Sequence, residues 1–213
     1  MDKIFPEKIH NYFELIRLNK PIGFMLLLWP CWFSIAYLEF SEQYLLGYYI
    51  IFIIGSVIMR SAGCIINDLI DQDIDSKIER TATRPLASKK ITNFNAIIFL
   101  FVLLVIGLLI LLQFKTETVL VGFLCTPLIV LYPLMKRITF WPQLFLGIIF
   151  NWGVIICSVE FYGTITKEYL ILYVACVLWT IGYDTIYAYQ DLTDDKKNSI
   201  KSTAVLFEDK GKY

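Results

Sequence analysis

The sequence is poor in charge. Asp, Glu, Lys and Arg make up 18% of its 213 residues, where an ordinary soluble domain carries about 25%. Histidine is nearly absent. His10 is the only one, and it lies on the N-terminal arm. A catalytic base would be expected nearer the acidic clusters described below, so His10 reads as a surface residue. The five cysteines, Cys31, Cys64, Cys125, Cys157 and Cys176, show neither zinc-ligand nor redox-pair spacing. All lie inside apolar runs and read as small buried apolar residues. No cleavable signal peptide is visible, because charges flank Pro6 and the first apolar run starts only after Lys20. The formal net charge is zero and says nothing about partners. The distribution of that charge says more.

What the chain has in excess is apolar length. Hydrophobic residues make up 57% and fall in runs comparable to the roughly 20 residues that a helix needs to cross a bilayer. Six spans are expected: Ile22–Leu38, Leu45–Ile66, Ala96–Leu112, Val119–Met135, Trp141–Val159 and Leu170–Tyr187. The expected fold is therefore an all-α, polytopic transmembrane helical bundle. Six spans leave no room for a soluble domain, so residues 1–213 read as one membrane domain.

Lys and Arg divide unequally among the connecting segments. Those on one side hold Lys3, Lys8, Arg17 and Lys20, then Lys77, Arg80, Arg84, Lys89 and Lys90, then Lys136 and Arg137, and finally Lys196, Lys197, Lys201, Lys210 and Lys212. The other side holds only Lys115 and Lys167, and Arg60 lies within the second run. Positive charge stays on the cytoplasmic side. This predicts a cytoplasmic N-terminus and, with an even number of spans, a cytoplasmic C-terminus.

Two aspartate clusters end membrane-length runs on that same side. The first is Asn67-Asp68-Leu69-Ile70-Asp71-Gln72-Asp73-Ile74-Asp75. The second runs from Asp184-Thr185-Ile186-Tyr187 to Asp191, Asp194 and Asp195. Carboxylates this dense beside a bilayer are costly unless a cation neutralises them. At 100° per residue, Asp68, Asp71 and Asp75 share one helical face, and Asp73 points the opposite way. Asp184, Tyr187, Asp191 and Asp195 form a second stripe by the same arithmetic. Hard oxygen ligands in two stripes suit Mg²⁺, which binds through one or two carboxylates plus substrate phosphates. A solvated acidic loop is the plainer reading of one cluster. Two clusters with matched spacing and sidedness make it the lesser one.

Basic residues follow each cluster: Arg80 and Arg84 after the first, Lys201 after the second. Carboxylates, a metal and Arg or Lys are the constellation for a diphosphate. Their competing reading is topogenic charge. Arg60 lies about two turns inside the second span, and an intramembrane charge is a functional-site hypothesis by default.

Several stretches carry a resemblance. They are Arg17-Leu18-Asn19-Lys20-Pro21-Ile22-Gly23; Arg60 through Asn67-Asp68; Arg80 through Leu86; Tyr132-Pro133-Leu134-Met135-Lys136-Arg137; and Tyr183-Asp184 through Asp195 to Ala204. Together they resemble the UbiA-type intramembrane prenyltransferases, most of all those acting on 4-hydroxybenzoate in ubiquinone biosynthesis. The resemblance covers essentially the whole chain. It implies a polyprenyl diphosphate held through Mg²⁺ by Asn67, Asp68, Asp71 and Asp75 and by Asp191 and Asp195. It further implies attack on the allylic cation by the ring of 4-hydroxybenzoate, with Asp71, Asp184 and Asp191 as the catalytic carboxylates. Asp184 would stabilise the cation or take the ring proton. Arg80, Arg84 and Lys201 would hold the diphosphate. By position, Arg60 would pair with an aspartate or face the carboxylate of the aromatic substrate, and Arg17, Lys136 and Tyr187 are further candidates to face that substrate. Membrane lipid is the remaining expected partner and nucleic acid is not one; a bacterial inner membrane is the expected location.

Two departures stand out, Asn151 and Ser199, at positions where the family usually has Gly. The family usually has nine spans, so the last three helices are expected to be missing. An enzyme and a truncated, inactive membrane chain therefore both stand as readings, the chain alone being expected to turn over little. A soluble prenyl-diphosphate synthase is disfavoured by the charge bias and long spans. A channel is disfavoured because the carboxylates lie at span ends and not along a pore.

Overall fold

The computed structural model describes residues 6–38 and 42–208, with the backbone alone for residues 42–44. Lys3, Lys210 and Lys212 of the charge distribution lie outside the described residues. Ten α-helices are present among the described residues. They are α1 (Glu7–Leu15), α2 (Ile22–Ala36), α3 (Glu42–Asp75), α4 (Asn93–Leu111), α5 (Thr116–Ile138), α6 (Pro142–Phe150), α7 (Trp152–Tyr162), α8 (Lys167–Ala188), α9 (Leu192–Lys197) and α10 (Thr203–Phe207). The described residues include no strand. The fold is all-α, a polytopic helical bundle. It has five helical stretches long and apolar enough to cross a membrane, and α2 as a shorter apolar helix.

Local chemistry explains many of the boundaries. Thr92, Thr166 and Ser202 cap α4, α8 and α10, their hydroxyls accepting from the N–H groups of Asn95, Tyr169 and Val205. Pro142 opens α6 where its missing N–H costs nothing. Gly163 ends α7 in the left-handed region at φ 71°.

The helices depart from the expected spans in four places. First, α3 is one helix of 34 residues, about 51 Å long against a hydrocarbon core of about 30 Å. The first aspartate cluster is thus carried by its last turns and not by a loop. Second, α2 ends at Ala36, two residues before the expected boundary. Third, the expected fifth span is two helices meeting at Asn151. The Asn151 amide donates to the Gly147 carbonyl at 2.7 Å and to Thr180 Oγ1 at 2.9 Å. An asparagine that bonds local backbone in this way competes with the helical ladder. Fourth, α8 gives way to a 3₁₀ turn at Tyr189–Asp191 before α9 begins. A 3₁₀ turn advances about 120° per residue, against 100° in an α-helix. The second stripe is therefore not one continuous helical face.

The chain forms two compact units. The first comprises residues 1–29 and 39–113. Its core joins Leu15 of α1, Ala62 and Ile65 of α3, Leu86 and Ile91 of the following turns, and Ala96 and Leu103 of α4. Gly107 lets α4 approach α3 closely, since a Cβ there would lie 3.2 Å from Met59 Sδ.

The second unit comprises residues 30–38 and 114–213. In it α6 packs on α8, and α5 on α6 and α7. A Cβ on Gly147 would meet the Val177 carbonyl at 3.0 Å, and one on Gly153 would collide with Cys31 Sγ. Small residues of this kind let helices pack backbone to backbone in a membrane. Tyr169 Oη donates to the Ser34 carbonyl at 2.8 Å. At the far end of α7, buried Glu160 accepts from Thr118 Oγ1 at 2.8 Å and from the Lys115 N–H at 3.0 Å, which satisfies the start of α5.

Candidate active site

In the first unit, helical phase decides which acids are buried. Asp68, Asp71 and Asp75 are 2%, 1% and 5% exposed, while Asp73 is exposed and Asn67 half-buried. Buried carboxylates need cationic or hydrogen-bonding partners. Two arginines brought in from other segments supply them. Arg17 Nη2 lies 2.5 Å from Asp68 Oδ1. Arg84 Nη1 lies 2.6 Å from Asp75 Oδ2 and 3.2 Å from Asp68 Oδ1, so one nitrogen bridges two carboxylates.

Each of these charged residues sits beside an apolar anchor. Arg17 follows Leu15 by two positions, Arg84 precedes Leu86 by two, and Asp68 follows Ile65 by three, and all three anchors are fully buried. The backbone at Arg17 is left-handed, with φ 55°. Its N–H donates to the Glu14 carbonyl and that of Leu18 to the Phe13 carbonyl, the pattern of a Schellman helix end in which glycine is usual. A side chain in that conformation costs about 1 kcal/mol, which the ion pair to Asp68 offsets. Burial works against the Arg17 charge. The neighbouring Asp68 carboxylate, then Cys64 and Asp75, nonetheless raise its pKa above the ordinary arginine value, so Arg17 is a permanent cation.

The segment carrying Arg84 is folded back onto the end of α3. Gln72 Nε2 donates to the Leu86 carbonyl at 2.9 Å, and Thr81 Oγ1 donates to the Asp75 carbonyl at 2.9 Å. Gln72 has no role in the expectations from sequence, and Thr81 lies unremarked within the stretch from Arg80 to Leu86. Their signal was position alone, Gln72 lying one turn from both Asp68 and Asp75. Arg80 is exposed. Arg60 is half-buried, and its guanidinium lies so near the start of α2 that a Cβ on Gly23 would be 2.8 Å from Nε. That contact gives a physical reason for glycine in the stretch from Arg17 to Gly23.

In the second unit, Asp184, Asp191 and Asp195 are all half-buried, and Tyr187 is 52% exposed. Lys201 is held by its backbone, whose N–H donates to the Lys136 carbonyl at 2.8 Å. Its ammonium donates to the Ile138 carbonyl at 3.0 Å and lies 5.5 Å from the centre of the Phe140 ring. A lysine there also suits the negative end of the α5 dipole. Thr203 completes the strap. Its N–H donates to Gln143 Oε1 at 3.1 Å, and its hydroxyl lies 2.6 Å from that of Thr185. Lys136 is half-buried. Ser199 adopts φ 55° and closes α9 with the same Schellman pattern, Ile200 donating to the Asp195 carbonyl and Ser199 to that of Lys196.

Among the described residues, no three His, Cys, Asp or Glu side chains are grouped as for a metal ion. In the first cluster a guanidinium nitrogen occupies the space between Asp68 and Asp75. The donor set is otherwise what Mg²⁺ uses, namely buried carboxylate oxygens on one helical face, the nearby Cys64 thiol being engaged by Arg17. The residues therefore fit the ion.

Comparison with known proteins agrees with this chemistry. The description "UbiA prenyltransferase family" matches residues 27–213. A Drosophila pseudoobscura pseudoobscura protein named 4-hydroxybenzoate polyprenyltransferase, mitochondrial, is 48% identical over 201 residues, covering 92% of this chain and 50% of that protein. The chain spans about half the length of the first curated relatives it matches. Among solved structures, the apo UbiA homologue from Aeropyrum pernix K1 superposes with a TM-score of 0.70 at 24% identity, covering 97% of this chain and 73% of that one. A UbiA homologue from Archaeoglobus fulgidus bound to GPP and Mg²⁺ gives 0.69 at 17% identity, covering 93% and 69%. The protein is an integral membrane chain, and it belongs to the UbiA prenyltransferase family.

Proposed function

We propose that the chain transfers a polyprenyl group from polyprenyl diphosphate to the ring of 4-hydroxybenzoate, in ubiquinone biosynthesis. The observation that carries this reading is the buried face of Asp68, Asp71 and Asp75 with its paired arginines, in a chain 48% identical to a protein named for that activity. No observation favours the inactive alternative.

Asn67, Asp68, Asp71 and Asp75 would hold Mg²⁺ from the first cluster, and Asp191 and Asp195 from the second. The ion supplies Lewis-acid neutralisation of the diphosphate oxygens. The support is the donor chemistry above and the Archaeoglobus fulgidus homologue solved with GPP and Mg²⁺ bound. Arg80, Arg84 and Lys201 hold the diphosphate as its C–O bond breaks and it departs with the bonding electrons. The allylic carbon is left cationic. The ring carbon ortho to the hydroxyl gives its π electrons to that carbon, and Asp184 takes the displaced ring proton. Arg17, Arg60, Lys136 and Tyr187 face the aromatic substrate. Apolar surroundings keep water from the cation, and the prenyl tail is as apolar as the lipid around the helices.

The helix ends bearing both clusters lie on the positively charged, cytoplasm-like side of the membrane. The bacterial location expected from the sequence gains no support from a relative whose name places it in mitochondria.

The test is product formation by the chain reconstituted in nanodiscs with Mg²⁺, 4-hydroxybenzoate and polyprenyl diphosphates of several lengths. Prenylated 4-hydroxybenzoate, detected by mass spectrometry and lost on chelation, supports the reading. Transfer to a different aromatic acceptor in preference to 4-hydroxybenzoate would overturn the substrate assignment.

A further inference from the structure

Arg84 holds the place that a cation needs. Its Nη1 atom is 2.6 Å from Asp75 Oδ2 and 3.2 Å from Asp68 Oδ1. These are two carboxylates on the same face of α3, seven residues and two turns apart. A divalent ion held by these carboxylates would need the space that this nitrogen fills. Two cations cannot share that gap, because their atoms would overlap and their like charges repel in a buried setting. The side chain that fills the gap is 22% exposed, so the guanidinium has a path outward. Its backbone has less freedom, because Leu86 is fully buried and the Leu86 carbonyl is held by Gln72.

We propose that Arg84 is an exchangeable internal counter-ion. It neutralises Asp68 and Asp75 while the site is without metal, yields them when Mg²⁺ arrives, and then delivers its freed guanidinium to the diphosphate. The proposal rests on the reading of this cluster as a Mg²⁺ site and adds the order of events. Arg17 plays the contrasting part. Its guanidinium donates to Asp68 and Cys64, it does not bridge the carboxylate pair, and it stays on Asp68 throughout.

Exchange has a thermodynamic signature that a merely structural arginine lacks. Removing a competing cation tightens metal binding, whereas removing a structural brace loosens it. Removing a diphosphate ligand weakens the binding of diphosphate. One substitution is therefore expected to move two affinities in opposite directions.

The experiment is calorimetric titration of the full chain in nanodiscs, first with Mg²⁺ alone and then with inorganic diphosphate at saturating Mg²⁺. Arg84→Gln is expected to bind Mg²⁺ about tenfold more tightly than wild type, the order of one charge-assisted contact. The same variant is expected to bind diphosphate about tenfold more weakly. Its melting temperature is expected to fall below wild type in chelator, with the gap narrowing in saturating Mg²⁺. Should Arg84→Gln not fold, Arg84→Met decides in the same way, because it too removes the charge while keeping an apolar stem of similar length. Unchanged or weaker Mg²⁺ binding in these variants, with a wild type that does bind Mg²⁺, would overturn the exchange and leave the metal site standing. No Mg²⁺ binding by wild type, with or without diphosphate, would overturn both.

Discussion

Arg17 and Asp68 stand 51 positions apart in the chain and 2.5 Å apart in space. The contact joins the segment after α1 to the first aspartate cluster. It also holds Arg17 in a left-handed backbone conformation that a side chain does not choose by itself. Arg17→Gln keeps the strain and loses the ion pair, and is expected to cost about 2 kcal/mol of stability, as for a half-buried charge-assisted bond. Arg17→Gly loses the pair but relieves the strain, and is expected to cost about 1 kcal/mol less than Arg17→Gln. Unfolding titrations of the reconstituted variants check both the losses and their order. A glycine variant less stable than the glutamine variant would contradict the strain argument.

Ser199 offers the opposite case, strain without a compensating ion pair among the described residues. It closes α9 at φ 55°, and the sequence departs there from the glycine usual in the family. Ser199→Gly is expected to stabilise the chain by about 0.5–1 kcal/mol, the difference between glycine and a side chain in the left-handed region. The same unfolding titration reads it, and a loss of stability would refute the assignment.

Gln72 holds the segment that carries Arg84. Gln72→Leu preserves bulk but leaves the Leu86 carbonyl without that donor, so about 1 kcal/mol of stability is expected to go. Hydrogen exchange over residues 80–88 should speed up before the rest of the first unit responds. Uniform change across the unit would show that Gln72 acts through general packing.

Helical phase separates two neighbouring acids. Asp71 is 1% exposed and Asp73 lies on the exposed side. Asp71→Asn is expected to lower Mg²⁺-dependent diphosphate affinity about a hundredfold, while Asp73→Asn changes it by less than about threefold. Equal losses in the two variants would refute the face argument.

What the sequence made legible follows from period and composition. Apolar runs gave the membrane-length helices, and a 3.6-residue period separated Asp68, Asp71 and Asp75 from Asp73. Both are properties of neighbours along one helix, which a linear reading contains. The break at Asn151 was not legible, because its amide bonds Thr180 of α8, 29 positions away. The second stripe read well as an ideal helix, but the 3₁₀ turn at Tyr189–Asp191 interrupts it. Arg84 was legible as a candidate diphosphate ligand, from the charges around it and by resemblance, but not as the bridge between Asp68 and Asp75. That role needs the chain after α3 to turn back, which Gln72 and Thr81 arrange through contacts 14 and 6 positions apart.

The most direct measurement is mass-spectrometric detection of prenylated 4-hydroxybenzoate made by the reconstituted chain, compared in Mg²⁺, in chelator and in Asp71→Asn. The expected result is product in Mg²⁺ and a fall of about a hundredfold or more in the other two, since metal-assisted departure of diphosphate supplies several kcal/mol of the barrier reduction. Product formed equally well in chelator, or undiminished in Asp71→Asn, would contradict a carboxylate-held metal at the first cluster.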